Sequence, residues 1–185
     1  MNENKTYFST IYSDFLSKVT DEMYAETWTE ADLKRDLESI LMSAIPNFSF
    51  PKFPLYDFKR STEDENGDMV EGYFNSVLSL DEIVILSNLM MTEWLTRQIM
   101  TTENIRQKVY SSSDFKVSSQ ANHLDKLKKL RDAYVAENKA NQKMYGRREI
   151  TAEGRVKTTL SKLAGEPKWW QSMEERFKTL IWMAI

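Results

Sequence analysis

One segment in the middle of the chain constrains the fold more than any other part of the sequence. It covers residues 79–100 and reads SLDEIVILSNLMMTEWLTRQIM. Its apolar residues wrap most of the circumference of a helix, and a helix that is apolar nearly all round is buried. Ser79 and Glu82 have the spacing of a capping box, which predicts where the helix begins. The segment therefore predicts a central helix that the rest of the fold covers.

Shorter stretches on both sides of this segment also show apolar residues at helical spacing, which predicts further helices. Thr29 with Asp32 approximates a capping box, and Pro46 stops the helix that begins there. Gly146 suits the end of a long helix, and Thr151 suits the start of the next one. The predicted additional helices are 4–19, 29–45, 102–110, 120–145, 152–163 and 168–185.

The stretch between the second helix and the central helix has a different pattern. Its first part reads PNFSFPKFPLYDFKR, with three prolines and five aromatic residues, and its apolar residues alternate in places. Asn66 and Gly67 then suit a tight turn. We predict a β-hairpin or extended loop at about 46–77 that projects from a helical body, with a mobile surface loop as the alternative. The aromatic residues of this stretch are candidate interface residues, namely Phe48, Phe50, Phe53, Tyr56 and Phe58.

The composition agrees with a mainly α-helical bundle. Of the 185 residues, 41% are hydrophobic, and only 5 Gly and 4 Pro are present, which favours long helices over many turns. We predict a body at 1–150 that carries the extension at 46–77. A C-terminal helical segment at 151–185 then docks on the body or on a neighbouring subunit. No run of about 18 apolar residues occurs, so the sequence predicts no membrane span.

Charged residues are unevenly distributed along the chain. Residues 1–100 contain 8 Lys and Arg against 18 Asp and Glu, whereas residues 101–185 contain 17 against 10. The basic stretch at 126–157 indicates a nucleic-acid surface, a surface for the acidic half of another copy, or an ordinary solvated helix face. The candidate DNA-facing residues are Lys139, Lys143, Arg147 and Arg148.

Residues that carry catalytic chemistry are sparse. The chain has no cysteine, and its only histidine, His123, has no other ligand-type residues at metal-binding spacing. The serines at 111–113 lack the strand-turn-helix context of a hydrolase nucleophile. Glu93, within the central helix, is expected to pair with Arg97 one turn later rather than to act as an acid. We therefore predict no enzyme activity and no catalytic, metal or cofactor site, with His123 packed against or capping a helix.

The C-terminal segment is strongly apolar. It reads PKWWQSMEERFKTLIWMAI and places large apolar residues along one helical stripe. Such a surface needs cover from its own chain, from another subunit or from a membrane surface. The candidate interface residues here are Trp169, Trp170, Met173, Phe177, Ile181 and Trp182.

Three phrases in the chain together form a distinctive pattern. They are LESILMSAIPNF at 37–48, FNSVLSLDEIVILSNLMMTEWLTRQI at 74–99 and SSDFKVSSQANHLDKLKKLRDAY at 112–134. The pattern is a central helix with an acidic start and a tryptophan near its end, followed by a helix that begins around DFK…SQANHL. In this respect the chain resembles the neck proteins of tailed bacteriophages that infect Gram-positive hosts, which are head-to-tail connector or adaptor subunits.

The resemblance implies a structural virion protein rather than an enzyme. Such a protein is made in the cytoplasm of the bacterial host and forms a homo-oligomeric ring around the DNA channel. Its expected partners are the portal protein on one side and the tail or a second neck protein on the other, with non-specific contact to packaged DNA and no membrane. The alternative that the residues themselves favour is a small nucleic-acid-binding module that uses the basic stretch at 126–157.

Overall fold

The computed structural model describes residues 4–19, 29–64, 69–109, 117–150 and 156–158. Of these residues, 67% are helical, and they form four α-helices with a few short antiparallel strands. The prediction of a mainly α-helical chain is therefore confirmed. The chain divides into two compact units, Met1–Lys143 and Met144–Ile185.

Groups of strands and groups of helices alternate along the chain. The α-helices are α1 (Phe8–Leu16), α2 (Glu30–Ala44), α3 (Leu80–Val109) and α4 (Val117–Arg147), and a 3-10 turn at Ile45–Asn47 follows α2. The strands are β1 (Thr6–Tyr7), β2 (Phe58–Lys59), β3 (Thr62–Glu63), β4 (Met69–Val70), β5 (Tyr73–Phe74), β6 (Arg148–Ile150) and β7 (Val156–Thr158).

Helix α3 is the centre of the first unit, because both α1 and α2 pack against it. It begins at the predicted capping box. The Glu82 carboxylate accepts a hydrogen bond from the Ser79 backbone N–H at 2.6 Å, and the Ser79 hydroxyl accepts one from the Glu82 N–H at 3.4 Å. Its buried apolar residues, on several sides of the helix, are Ile85, Leu86, Leu89, Met90, Met91, Leu95 and Ile99. Helix α3 thus has the central position that its apolar circumference predicted.

Helix α3 is longer than predicted, and the separate helix expected at 102–110 is wrong. No glycine or proline occurs between Leu80 and Val109, so nothing interrupts the helical hydrogen bonds. The threonines at the expected junction of the two helices are part of the helix, and their hydroxyls bond within it. Thr102, for example, donates to the Gln98 carbonyl at 2.8 Å.

The first helix begins at Phe8, later than predicted, because the residues before it form a strand. β1 pairs antiparallel with β5, with Thr6 opposite Phe74. Thr6 is buried, and its hydroxyl donates to the Ser76 carbonyl at 3.0 Å and accepts from the Leu78 N–H at 2.8 Å. These two hydrogen bonds tie the start of the chain to the residues that lead into α3.

Helix α2 begins and ends where the sequence predicts. The Thr29 hydroxyl accepts a hydrogen bond from the Asp32 N–H at 3.2 Å, and Pro46 lies in the 3-10 turn that ends the helix. The buried residues of α2 recur every three or four positions, on the face that packs on α3. They are Leu37, Glu38, Ile40, Leu41 and Ala44.

The segment at 46–77 forms short antiparallel strands held by aromatic packing. β5 lies between β1 and β2, and β3 pairs with β4. Phe74 is 0% exposed, and its ring centroid lies 5.3 Å from that of Phe8 and 5.8 Å from those of Phe53 and Phe58. Edge-to-face pairs at these distances add to the stabilisation from apolar burial. Aromatic packing therefore anchors strands that are only two residues long.

Near the boundary of the two units the structure differs from the prediction. Gly146 does not end the long helix, which continues to Arg147. β6 and β7 pair antiparallel, with Glu149 opposite Lys157, so the helix predicted at 152–163 is wrong at 156–158. The β-branched residues of these two strands favour extended backbone over helix.

Several predictions lie outside the described residues. They are the turn at Asn66 and Gly67, the serines at 111–113, the cap at Thr151, and the helix at 168–185 with Trp169, Trp170, Met173, Phe177, Ile181 and Trp182.

The contact between Gly72 and α1 provides a test of this packing. A Cβ at Gly72 would overlap the Phe8 ring and lie 2.9 Å from the Lys59 carbonyl oxygen. Because that oxygen belongs to the backbone, we expect Gly72→Ala to lower the free energy of unfolding by about 1–3 kcal/mol, measured by urea denaturation of the full chain. The control is Gly146→Ala, which lies within α4 and should be neutral or slightly stabilising. Equal midpoints for both variants would contradict the close approach.

Candidate functional site

The residues considered for catalysis do not come together in the described part of the chain. His123 lies on α4 with its side chain exposed, rather than packed or capping as predicted. No group of three or more His, Cys, Asp and Glu side chains among the described residues is placed to hold a metal ion. The described residues therefore contain no assembled metal centre.

The ion pair expected between Glu93 and Arg97 does not form. Arg97 reaches across to α2, where its guanidinium donates to the Asp36 carboxylate at 3.1 Å and to the Ser39 hydroxyl at 3.0 Å. Glu93 instead accepts a hydrogen bond from the Asn47 side-chain amide at 3.0 Å. Glu93 and Arg97 have the spacing of an ion pair within a helix, but each bonds instead to a residue outside α3.

A polar cluster that the sequence did not predict joins α1 to α3. Ser87 and Asn88 are 0% and 3% exposed, within the buried surface of α3. The Lys18 ammonium lies 2.6 Å from the Ser87 hydroxyl, 2.8 Å from the Asn88 amide oxygen and 2.7 Å from the Asp14 carboxylate. The Ser87 hydroxyl also donates to Asp14. The only sequence signal for this cluster is a Ser-Asn pair inside an apolar run.

The chemistry of this cluster is structural. A serine beside a lysine is an arrangement that some hydrolases use for nucleophilic attack. In this chain the Ser87 hydroxyl is buried, so a substrate cannot reach it in the observed conformation. Lys18 is held by three acceptors, and its charge is balanced by Asp14. The cluster therefore satisfies buried polar groups and fixes how α1 packs on α3.

A second charged site links α2 to the strands. Glu38 is 7% exposed, and it accepts from the Arg60 guanidinium at 2.9 Å and from the Ser61 backbone N–H at 3.3 Å. Arg35 pairs with Glu63 at 2.8 Å in the same cleft, which has a volume of about 550 Å³. Because a carboxylate already balances each arginine, the cleft has little to attract an anion.

Tyr12 lies close to this charged site. Its hydroxyl is buried and has no hydrogen-bond partner among the described residues. Burial raises the pKa of Tyr12 well above 10, and the negative charges of Glu38 and Glu71 raise it further. The phenol therefore stays protonated at all physiological pH values and cannot act as a base.

The aromatic residues predicted to form an interface divide into two groups. Phe48 is 3% exposed and packs edge-on against Phe53, with ring centroids 5.8 Å apart. Phe53 and Phe58 are half-buried in the cluster around Phe74. Phe50 and Tyr56 are 58% and 70% exposed. Only these last two offer most of their surface to another molecule.

The candidate DNA-facing residues lie on both sides of the unit boundary. Lys139 and Lys143 are one turn apart on α4, and both are exposed. Neither makes an ion pair within the described part of the chain. Arg147 is exposed at the end of α4, and Arg148 is half-buried in β6. The first unit thus contributes two unpaired cations to one helical face.

The middle of α4 carries an apolar stripe that the described residues leave partly open. Leu124 and Asn138 are 3% and 2% exposed, but no residue between them is buried. Leu127 and Tyr134 are half-buried, and Leu130 is 44% exposed. This interval of the helix is about 20 Å long at the usual rise per residue.

No protein-family model, curated protein or solved structure matches this chain. Within the described ranges, no helix combines the length and the apolar character that crossing a membrane requires. These comparisons therefore assign neither a family nor a function to the chain.

The polar cluster predicts how stability depends on pH. Burial raises the pKa of Asp14, but hydrogen bonds from Lys18 and Ser87 and the lysine charge lower it more, so the net pKa lies below its ordinary value of 3.8. The stabilisation from this carboxylate is therefore complete at neutral pH and is lost as the pH falls below about 4. We expect Asp14→Asn to lower the free energy of unfolding at pH 7 by about 1–3 kcal/mol.

Urea denaturation of both proteins across a pH series checks this dependence. The difference between the original chain and Asp14→Asn should shrink as the pH falls below the ordinary pKa of the carboxyl. Glu30→Gln is the control, because that exposed carboxylate pairs only with Lys34 on the same helix, and removing it should change little. A difference that stays constant from neutral to acid pH would show that the Asp14 charge does not contribute.

Proposed function

We propose that this chain is a structural, non-enzymatic subunit of a bacteriophage virion, which assembles as a ring between portal and tail around the DNA channel. The observation that carries the proposal is the apolar stripe in the middle of α4, which the other described elements leave partly open. The mainly helical fold and the resemblance of three sequence phrases to phage neck proteins support it. The body with an extension at 46–77 would then face both a neighbouring copy and the next component of the neck.

The apolar stripe favours a protein partner. Leu127, Leu130 and Tyr134 lie along one side of a helix that the other described elements leave partly open. Single exposed leucines are common on protein surfaces, but a leucine and tyrosine stripe about 10 Å long on one helix face is typical of an interface. Tyrosine is also enriched at the centres of protein interfaces.

The distribution of charge favours another copy of this chain as that partner. A ring forms when one face of a subunit meets a different face of the next subunit. Around the stripe, Lys126 and Lys129 are exposed. Residues 1–100 contain 18 Asp and Glu against 8 Lys and Arg. Contact between the basic helix of one copy and the acidic half of the next is therefore electrostatically favourable.

The segment at 46–77 supplies a second surface in this proposal. Phe50 and Tyr56 are largely exposed, while Phe48, Phe53 and Phe58 hold the segment to the core. The exposed aromatic residues are therefore presented by a segment that other aromatic residues pack against the core, which suits them as interface anchors. We assign them to contact with the portal protein, the tail or a second neck protein.

A second function, binding of nucleic acid, is favoured by one specific observation. Lys139 and Lys143 are exposed cations without a counter-ion in the described residues. Arg147 continues the same helical spacing. Such a row can follow phosphates along a duplex without reading its sequence. In a neck protein the same row would contact packaged DNA, so strong binding by the isolated chain is what distinguishes the two functions.

Light scattering tests the self-association. We expect a discrete oligomer at micromolar concentration and low salt, with a mass several times that of the 21.7 kDa chain, and partial dissociation as salt rises. Leu130→Glu should weaken association at least about tenfold, because it places a charge in the stripe. Leu80→Glu is the matched control, since Leu80 is 81% exposed at the start of α3, where the helix dipole tolerates an acid.

Two outcomes would contradict the role assigned to the stripe. One is a 21.7 kDa monomer at every concentration and salt, which would favour the nucleic-acid module. The other is an oligomer that Leu130→Glu and Leu80→Glu weaken equally, which would place the interface elsewhere.

Binding to duplex DNA tests the second function. Neutralising Lys139, Lys143 and Arg147 together should reduce the slope of log affinity against log salt by about 2.7 if all three contact phosphates. Fluorescence anisotropy with a labelled duplex over a salt series measures that slope. A control with Lys34, Lys52 and Lys59 neutralised removes as much charge and should leave the slope unchanged. Equal slopes for both triple variants would exclude a phosphate-binding row at Lys139.

A further inference from the structure

A polar cleft within the first unit contains none of the residues of the apolar stripe, and it shares only Lys139 with the row of basic residues. It lies between α3, α4 and the residues that follow α2, and its volume is about 390 Å³. This is within the range of pockets that bind small ligands or short peptide segments. The lining residues are Pro46, Asn47, Ser49, Leu89, Thr92, Glu93, Val135, Asn138, Lys139 and Gln142.

The side chain of Asn138 is the unexplained group in this cleft. It is 2% exposed, and neither its amide nitrogen nor its amide oxygen has a hydrogen-bond partner among the described residues. A buried amide without partners costs stability, whereas an apolar side chain with the same branching, such as leucine, carries no such cost. A polar residue at such a position therefore indicates a group that enters the cleft and bonds to it.

Two charged side chains flank this amide. Glu93 accepts from Asn47 at 3.0 Å and makes no ion pair in the described chain. Lys139 follows Asn138 directly, is exposed, and has no counter-ion among the described residues. The cleft thus presents a free cation beside an unpaired amide, with apolar walls from Pro46 and Leu89.

We propose that this cleft binds an extended peptide segment that carries an acidic side chain. An asparagine amide offers one donor group and one acceptor, so it pairs with the C=O and N–H of a peptide group. The acidic side chain of the segment would pair with Lys139. The apolar walls would take a small neighbouring side chain. The proposal does not depend on ring formation or on the phage role.

Entry of a peptide requires a small movement of α4 away from residues 46–49. Gln142, one turn beyond Asn138, is held by the Ser49 backbone N–H at 2.6 Å. Glu103 and Lys128 form a surface ion pair at 2.8 Å further along. Opening the cleft breaks the hydrogen bond between Gln142 and Ser49, whose net contribution is modest, while Leu124 further along α4 stays buried.

Nuclear magnetic resonance of the full, isotope-labelled chain tests the proposal. The probes are two blocked tripeptides, acetyl-Ala-Asp-Ala-amide and acetyl-Ala-Asn-Ala-amide. We expect the acidic probe to shift the side-chain NH₂ signals of Asn138 and the backbone signal of Ser49. Asn138→Leu should weaken binding of the acidic probe about tenfold, the loss of two hydrogen bonds. The same variant should unfold at an equal or higher temperature, because it removes an unpaired amide.

The Lys139→Met variant tests the charge separately, and it changes only an exposed residue. It should abolish the preference for the aspartate probe over the asparagine probe while leaving binding of the latter unchanged. The matched control is Lys126→Met, an exposed lysine of the same helix outside the cleft lining. The proposal is overturned if neither probe shifts Asn138, if Asn138→Leu binds the acidic probe as tightly as the original chain, or if Lys139→Met keeps the preference.

Discussion

The burial of α3 on several sides of its circumference creates the requirement that organises the first unit. That buried surface includes Ser87 and Asn88, whose polar groups need partners away from water. Asp14 of α1 and Lys18, which lies just after the helix, provide them, and this sets the position of α1 on α3. Because α1 follows β1 directly, the same contact also sets where the chain enters the small sheet. A hydrogen-bonded cluster thus determines an arrangement that apolar packing alone would leave free to slide.

The strand region depends on aromatic contacts, and this decides which of its residues remain for partners. Its strands are two residues long, too short for backbone pairing alone to be stable. Phe74 supplies the missing stabilisation by packing against Phe8 of α1 and against Phe53 earlier in the same segment. Phe53 and Phe58 are used in that packing, whereas Phe50 and Tyr56 are not. The aromatic residues of this segment therefore serve two purposes: some stabilise the short strands, and others stay exposed for partners.

Local signals predicted much of this fold, and long-range pairings account for what they missed. The caps at Thr29 and Ser79 depend on residues three positions apart, so sequence spacing alone identifies them. The partner of Arg97 lies on another helix, and the cluster around Ser87 joins residues about seventy positions apart. No periodicity encodes such distances. The strand at 156–158 was missed for a related reason, since a three-residue strand is defined by its pairing with β6 rather than by its own pattern.

Helix α4 differs from the other helices of the first unit in what holds it in place. α2 buries a regular apolar face, whereas the inner face of α4 changes from Leu124 to the polar residues Asn138 and Gln142. Burial of an amide contributes less than burial of a leucine, and an unpaired amide costs stability. Asn138 therefore contributes less to the stability of the described chain than an apolar residue would. In both proposals, a contact along the apolar stripe or within the polar cleft supplies what this face of α4 lacks.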